Sequence, residues 1–346
     1  MPALVDTSPK RAPKPIASST KRATRPSNPI PQFLIDEASK TVREPFNAAR
    51  HLNYKAPNNI YTMAEIGLEG QGIAPNAVCE PFQLFPPEAV EQMRAEIFSE
   101  ACLRDCQFAS GFIKNMHNRA PFVYDAWKSP EVLAKVSEIA GTELIPALDY
   151  DVGNVNISIN DAGQSTFEHP NAIDQVSNEV QTSAVAWHYD SYPFVVVTML
   201  LNCDGMVGGE TVLRLPDSSS KKVRGPAQGT AVVMQDRYIE HQALKALGGR
   251  ERIAMVTSFR AKNPLIKDET VLTGSRGVSD LSALYHQYTQ YRMEILEERI
   301  RNFQKQERSR EVAKRPYDIS AARRFLQEQK EFLEDMLEEE IYEVRD

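Results

Sequence analysis

The chain has 346 residues, enough for one large domain or two small ones, with ordinary apolar (42%) and charged (25%) fractions for a globular protein. Its net charge of -7 gives no support to a general nucleic-acid binder. The longest apolar run, Pro193 to Leu201, falls far short of the roughly 20 residues of a membrane helix, so no membrane partner is expected.

Residues 1–50 read as a basic tail rich in proline and serine, disordered by composition, with order expected from about Asn58. Lys10, Arg11, Lys14, Lys21, Arg22 and Arg25 face only Asp6. The prolines argue against the amphipathic helix of a mitochondrial presequence. A cytoplasmic location is expected, with a nuclear signal as the alternative. Cys79, Cys102, Cys106 and Cys203 form no CxxC pair, so they are read as free thiols in a reducing compartment.

A short strand is expected over Glu80 to Phe85. Pro86 and Pro87 then open a helix with Val90, Met93, Ile97 and Phe98 on one face. The next helix is capped by Ser129, takes Pro130 at its first position and stops at Gly141. Leu144 to Ile159 reads as mostly extended, with period-two alternation from Val155. Further strands are expected at Ala184–Trp187, Phe194–Leu201, Glu210–Leu215, Gly229–Gln235 and Arg252–Phe259. Gly205, Gly208-Gly209, Gly225-Pro226 and Gly248-Gly249 punctuate them. Short strands separated by turn signals imply an α+β chain whose sheets form a sandwich or closed barrel. After Gly277 the helical period returns. Ser279 or Asp280 caps one helix, Pro316 interrupts, and Asp318 or Ser320 starts another. The two are expected to pair antiparallel on the barrel or to serve as a homo-oligomer contact.

One of the six histidines lies in an HxD triplet, Trp187-His188-Tyr189-Asp190. On a strand, His188 and Asp190 point to the same side. Alone, such a triplet reads equally as a metal clamp or as a surface pair. His241, 51 residues beyond Asp190, offers a third donor. Two histidines and one carboxylate leave three positions of an octahedral ion open, a set that suits Fe(II).

Around the triplet the motifs fall in an order: HxD, a strand ending Leu201-Asn202, Gly208-Gly209-Glu210-Thr211, Pro226-Ala227-Gln228-Gly229, His241, Gly248-Gly249 and Arg252. From about Asn154 to Phe259 this resembles the iron(II)- and 2-oxoglutarate-dependent oxygenase superfamily, in its prolyl-hydroxylase-like branch. The long C-terminal helices resemble fungal members, some of which act on small amino acids such as valine. The resemblance implies a double-stranded β-helix, or jelly-roll barrel, over residues 58–265, with a helical extension over 278–346. It implies His188, Asp190 and His241 as iron ligands and catalytic centre. It also implies Arg252 as the group that grips the distal carboxylate of 2-oxoglutarate, where a guanidinium fork suits the carboxylate.

Arg260 competes for that role, but it lies about 26 Å further along an unbroken strand. Ala254 stands where many family members carry a serine, so the second contact to the carboxylate is unassigned; Asn156 is a further lining candidate. Trp187, Tyr189, Tyr192 and Phe259 read as pocket lining or as core. The implied cofactor set is Fe(II), 2-oxoglutarate and O2, with ascorbate as a stimulant. The implied reaction is oxidative decarboxylation of 2-oxoglutarate coupled to C–H hydroxylation, desaturation or ring closure of a small organic molecule. The alternatives are a catalytically silent barrel acting as a binding module, or an oxygenase acting on protein or nucleic acid.

Overall fold

The computed structural model describes residues 30–109, 111–159, 183–201, 207–223, 227–244, 246–247 and 251–340. Residues 1–29, Cys203 and the turn glycines at 205, 225, 248 and 249 lie outside them.

Order reaches back beyond the expected start at Asn58. Helix α1 (Gln32–Ala38) buries Leu34 and Ala38. Helix α2 (Ala48–His51) is capped by Asn47, whose side chain accepts from the Ala49 N–H. Between them Arg43 donates to the Ala95 carbonyl at 3.0 Å, and Gln92 bonds the backbones of Val42 and Glu44. Proline-rich composition suggests disorder, but bonds to residues some fifty positions away tie this stretch to the body.

Strands β1 (Ile60–Thr62), β2 (Asn76–Cys79) and β3 (Phe82–Gln83) lead into helix α3 (Pro87–Ile97). Helix α4 (Glu100–Cys106) follows, then strands β4 (Gln107–Ala109) and β5 (Phe112–Ile113). Helices α5 (Pro121–Lys128) and α6 (Pro130–Ala140) complete the N-terminal layer. The α6 caps fall as expected: the Ser129 hydroxyl accepts from Val132 N–H at 3.2 Å, and Gly141 takes φ 74°. The 144–159 stretch, expected to be mostly extended, is interrupted once. It divides into β6 (Leu144–Pro146), a 3-10 turn at Asp149–Asp151 and β7 (Asn154–Ile159).

The remaining strands are β8 (Ser183–His188), β9 (Phe194–Met199), β10 (Val207–Gly208), β11 (Thr211–Arg214) and β12 (Ser220–Val223). They are followed by β13 (Thr230–Met234), β14 (His241–Leu244), β15 (Ala246–Leu247) and β16 (Glu251–Ala261). A ten-stranded sheet runs β1-β2-β13-β9-β16-β7-β5-β4, with β3 joined to β13 and β6 to β16. A four-stranded sheet runs β12-β11-β14-β8, and β10 pairs with β15. All of these pairings are antiparallel. Among the described residues the strand pairings do not close either sheet on itself.

Glycine is required at the turn before β13. Gly229 has φ 73°, and a Cβ there would lie 2.1 Å from the Phe85 carbonyl oxygen.

The N-terminal helices cover one face of the large sheet. Trp127 of α5 is fully buried between Phe85 and Phe259, with ring centroids at 5.6 and 5.9 Å. Ile253, Met255 and Phe259 of β16 and Phe194 and Val196 of β9 point into this core. Cys79, Cys102 and Cys106 are free and buried there, and burial pushes the Cys79 thiol up to about 12.

Helix α5 has an unusual cap. The buried Glu96 carboxylate accepts from Phe122 N–H at 3.1 Å and Val123 N–H at 3.2 Å. Burial raises its pKa above the ordinary 4.5, partly opposed by those two bonds. The folded chain therefore favours the protonated form. That contribution is complete below about pH 4.5 and fades as the pH rises through the folded value. The melting-temperature advantage of the native chain over Glu96→Gln should shrink between pH 4 and pH 8. A growing advantage would show that the ionised carboxylate is the preferred cap.

Helix α7 (Thr273–Arg276) precedes a hairpin of two long helices, α8 (Leu281–Val312) and α9 (Ile319–Glu340). Asp280 caps the first and Asp318 the second. The helices run antiparallel, with Phe303 stacked on Phe325 at 4.3 Å and Arg292 donating to the Phe332 carbonyl at 3.0 Å. A second apolar cluster joins Tyr150, Tyr192, Leu284, Tyr288 and Phe332, so the hairpin packs on the sheet layer beside the HxD segment. Among the described residues no helix is long and apolar enough to cross a membrane.

Candidate metal centre

Strands β8 and β14 are antiparallel neighbours, and their register sets His241 directly opposite His188. His241 is the first residue of its strand, and that pairing brings the two imidazoles to a centroid separation of 4.3 Å. Asp190 lies just past the end of β8, with its Oδ1 3.4 Å from His188 Nε2. One ligand atom from each of His188, Asp190 and His241 can be chosen so that all lie within 4.8 Å of one another. His188 and Asp190 are part-exposed and His241 is buried, so the cluster opens on one side.

His241 Nδ1 lies 2.9 Å from the Ile239 carbonyl, which can only accept. The ring therefore carries its proton on Nδ1 and presents the Nε2 lone pair. Burial lowers the His241 pKa, which keeps the ring neutral, the form a metal needs. Burial acts against the Asp190 carboxylate. The hydrogen bond to His188 and the charges of both histidines outweigh it, and the group is held below the usual carboxylate range. Two imidazoles, that of His241 held neutral by burial, and an ionised carboxylate are the donor chemistry that fits a divalent iron.

Sequence reasoning missed a second carboxylate. Asp236 is buried, with Oδ2 3.9 Å from His241 Nε2, and its backbone carbonyl accepts from Asp190 N–H at 3.1 Å. Burial, with the Asp190 charge added, pushes its pKa well up. It stands beside two of the three donors and binds the backbone of one.

The segment carrying Asp190 is fixed from behind. Ser191 accepts from Val271 N–H at 2.9 Å through its carbonyl, and from Gly274 N–H at 3.0 Å through its hydroxyl. Arg237, next to Asp236, donates to the Glu269 carbonyl at 2.9 Å. The 268–276 loop is held in turn by buried Glu339 of α9, which accepts from Leu272 N–H at 2.8 Å and pairs with Arg276 at 2.7 Å. A continuous run of hydrogen bonds thus links the last helix to the HxD segment. Tyr192 belongs to the same support: it is buried in the hairpin cluster and donates to Asp151, which pairs with Lys114 at 2.8 Å. Tyr192 and Phe259 are therefore packing residues. Tyr189 is half-buried, and Trp187 lies under Arg214, whose Cζ is 4.2 Å from the ring centroid.

Arg252, Ala254 and Arg260 alternate with the core residues of β16, so they occupy the sheet face turned away from the N-terminal helices. Asn156 is registered opposite Ala254 and Ser158 opposite Arg252. Arg260 is engaged elsewhere, with its Cζ 4.8 Å from the ring centroid of Tyr291 on α8. Arg252 is half-buried in the described part of the strand.

No protein-family model matches this chain, and no curated protein does. Solved structures are similar to it at low identity. One is an oxidoreductase of the 2OG-Fe(II) oxygenase family from Burkholderia pseudomallei, 16% identical over 41% of this chain and 55% of that one, with a TM-score of 0.29. A nickel complex of the non-heme monooxygenase ThoJ is 14% identical over 64% of this chain and 96% of that one, with a TM-score of 0.38. A prolyl-4-hydroxylase from Pseudomonas putida is 15% identical over 61% of this chain and 100% of that one, with a TM-score of 0.32. The chain spans about half the length of the first of these.

Proposed function

We propose that the chain is a non-haem Fe(II) oxygenase that couples oxidative decarboxylation of 2-oxoglutarate to C–H oxidation of a small organic substrate, an amino acid such as valine being one of the right class. The convergence of His188, Asp190 and His241 carries this reading. The order of motifs through Gly209, Gly229 and Arg252 supports it. The two sheets are read as the two halves of a double-stranded β-helix over residues 58–265, with residues 278–346 as its helical extension.

His188, Asp190 and His241 would hold the iron through two imidazole nitrogens and a carboxylate, leaving the remaining positions for cosubstrate and O2. Bound there, iron and 2-oxoglutarate supply the oxidising chemistry. The chain's own work is to orient and exclude. Ile239 fixes the His241 tautomer. The 268–276 loop holds the Asp190 backbone through Ser191. Arg252, on the sheet face away from the helices, would pair with the distal carboxylate of the cosubstrate and so set its direction.

The test is calorimetric titration of 2-oxoglutarate into protein loaded with Mn(II) and into protein stripped of metal. Binding should require the metal. Arg252→Lys should weaken it about tenfold, the loss of one arm of a bidentate pair, whereas Arg260→Lys should leave it unchanged. No metal-dependent binding would return the chain to the alternative of a silent binding module.

A further inference from the structure

Eight of the eleven large apolar side chains that stand exposed among the described residues belong to the C-terminal hairpin, between Met293 and Leu337. Scattered exposed apolar residues need no explanation, but a concentration on one element does. On α9 they are also ordered. Ile319, Leu326 and Leu333 recur every seven residues, and Leu337 lies one turn beyond Leu333, so they form one stripe along the helix. They are 65%, 64%, 38% and 57% exposed. The helix already has a satisfied apolar face, because Ala322, Phe332 and Met336 are buried against the rest of the chain. The stripe is therefore a second face that this chain leaves uncovered among its described residues.

Charge indicates what covers it. Arg323 and Arg324 lie in the first half of α9, while Glu331 to Glu340 contains six acidic residues. Arg323 and Glu334 both flank the stripe on its same edge. Glu334 already lies 3.5 Å from Lys330, an exposed pair free to rearrange. Two copies laid parallel would set basic end beside basic end and acidic end beside acidic end. Two copies laid antiparallel about a twofold axis set the basic end of each against the acidic end of the other, with Arg323 beside Glu334 of the second copy. Like-charge juxtaposition is the cost that selects against the parallel arrangement. A membrane surface is a poor occupant, since anionic lipid favours Lys and Arg along the polar face and this helix is acidic over half its length.

We propose that the outer face of α9 is the interface of a homodimer, in which the leucine stripes of two copies pair antiparallel. The helix has 22 residues, about 33 Å at the usual rise, and the stripe runs along most of that length. The inner face of the same helix carries Glu339, so the interface does not disturb the contacts that hold the HxD segment.

Sedimentation of the full chain over roughly 1–100 µM, a range that brackets micromolar affinity, should show a species of twice 38.9 kDa. Leu326→Glu should give a monomer with unchanged circular dichroism, because Leu326 is exposed in the single chain. Arg323→Glu should weaken the dimer about tenfold, and Arg323→Glu with Glu334→Arg should restore it. A native chain that stays monomeric throughout overturns the proposal. So does a dimer that Leu326→Glu leaves intact, or one that the charge exchange fails to rescue.

Discussion

Replacing His188 by alanine should abolish tight metal binding while leaving the fold in place. The expectation follows from geometry. Three donors converge within 4.8 Å, and removing one leaves a two-ligand site. Losing an outer hydrogen-bond partner of a metal ligand costs roughly 10–100-fold in affinity; losing the ligand itself should cost more. The ring is part-exposed, so its removal opens no core cavity. A metal present at about 100 times its Kd stabilises the native chain by about 2.7 kcal/mol, which is roughly 4 °C at this size. Mn(II) should therefore raise the melting temperature of the native chain by that amount and leave His188→Ala unmoved, with both melting alike in chelator. An equal metal-induced rise in the variant would remove His188 from the centre, and the proposed function with it. Asp190→Ala should behave in the same way. It carries one further effect, because burial, which chiefly holds the Asp236 pKa up, then acts without the added repulsion from Asp190.

Several parts of this arrangement were legible in the sequence because their causes are local. Ser129, Pro130 and Gly141 define α6 through backbone preferences that act within a few residues. Gly229 marks a turn because a side chain there would meet the Phe85 carbonyl. The HxD spacing puts two donors on one side of a strand by its pleat alone. Other parts were not legible because their causes are distant. That His241 begins a strand opposite His188 depends on a pairing between segments more than fifty residues apart. Asp236 reads as one more polar residue in a turn, and only the packing reveals a buried carboxylate beside the donors. Residues 30–50 fell within a stretch read as a proline- and serine-rich tail, yet Arg43 and Gln92 tie them to the body of the chain. Glu339 was visible only as part of an acidic run, which by default reads as a solvated end.

That last residue carries the second large expectation. Glu339 lies 67 positions from Leu272, whose N–H it accepts, and it pairs with Arg276 in a site largely closed to water. Breaking a buried pair by deleting one partner costs about 3–5 kcal/mol, so Glu339→Ala should melt roughly 4–8 °C below the native chain. A purely structural role ends there. The bonds from Val271 and Gly274 to Ser191 carry the consequence further. Once Glu339 no longer anchors the loop, Asp190 loses the support that fixes its backbone. Metal affinity, measured at a temperature where the variant is fully folded, should then fall by about tenfold, the lower end of the outer-partner range, since the contact is indirect. Phe325→Ala is the control. It removes the stacking on Phe303 at 4.3 Å and weakens the hairpin without touching the loop, so it should lower the melting temperature and leave the metal Kd unchanged. If both variants lose stability and neither loses affinity, α9 is ordinary packing. If only Glu339→Ala loses affinity, the C-terminal helix is part of what holds the metal carboxylate in place.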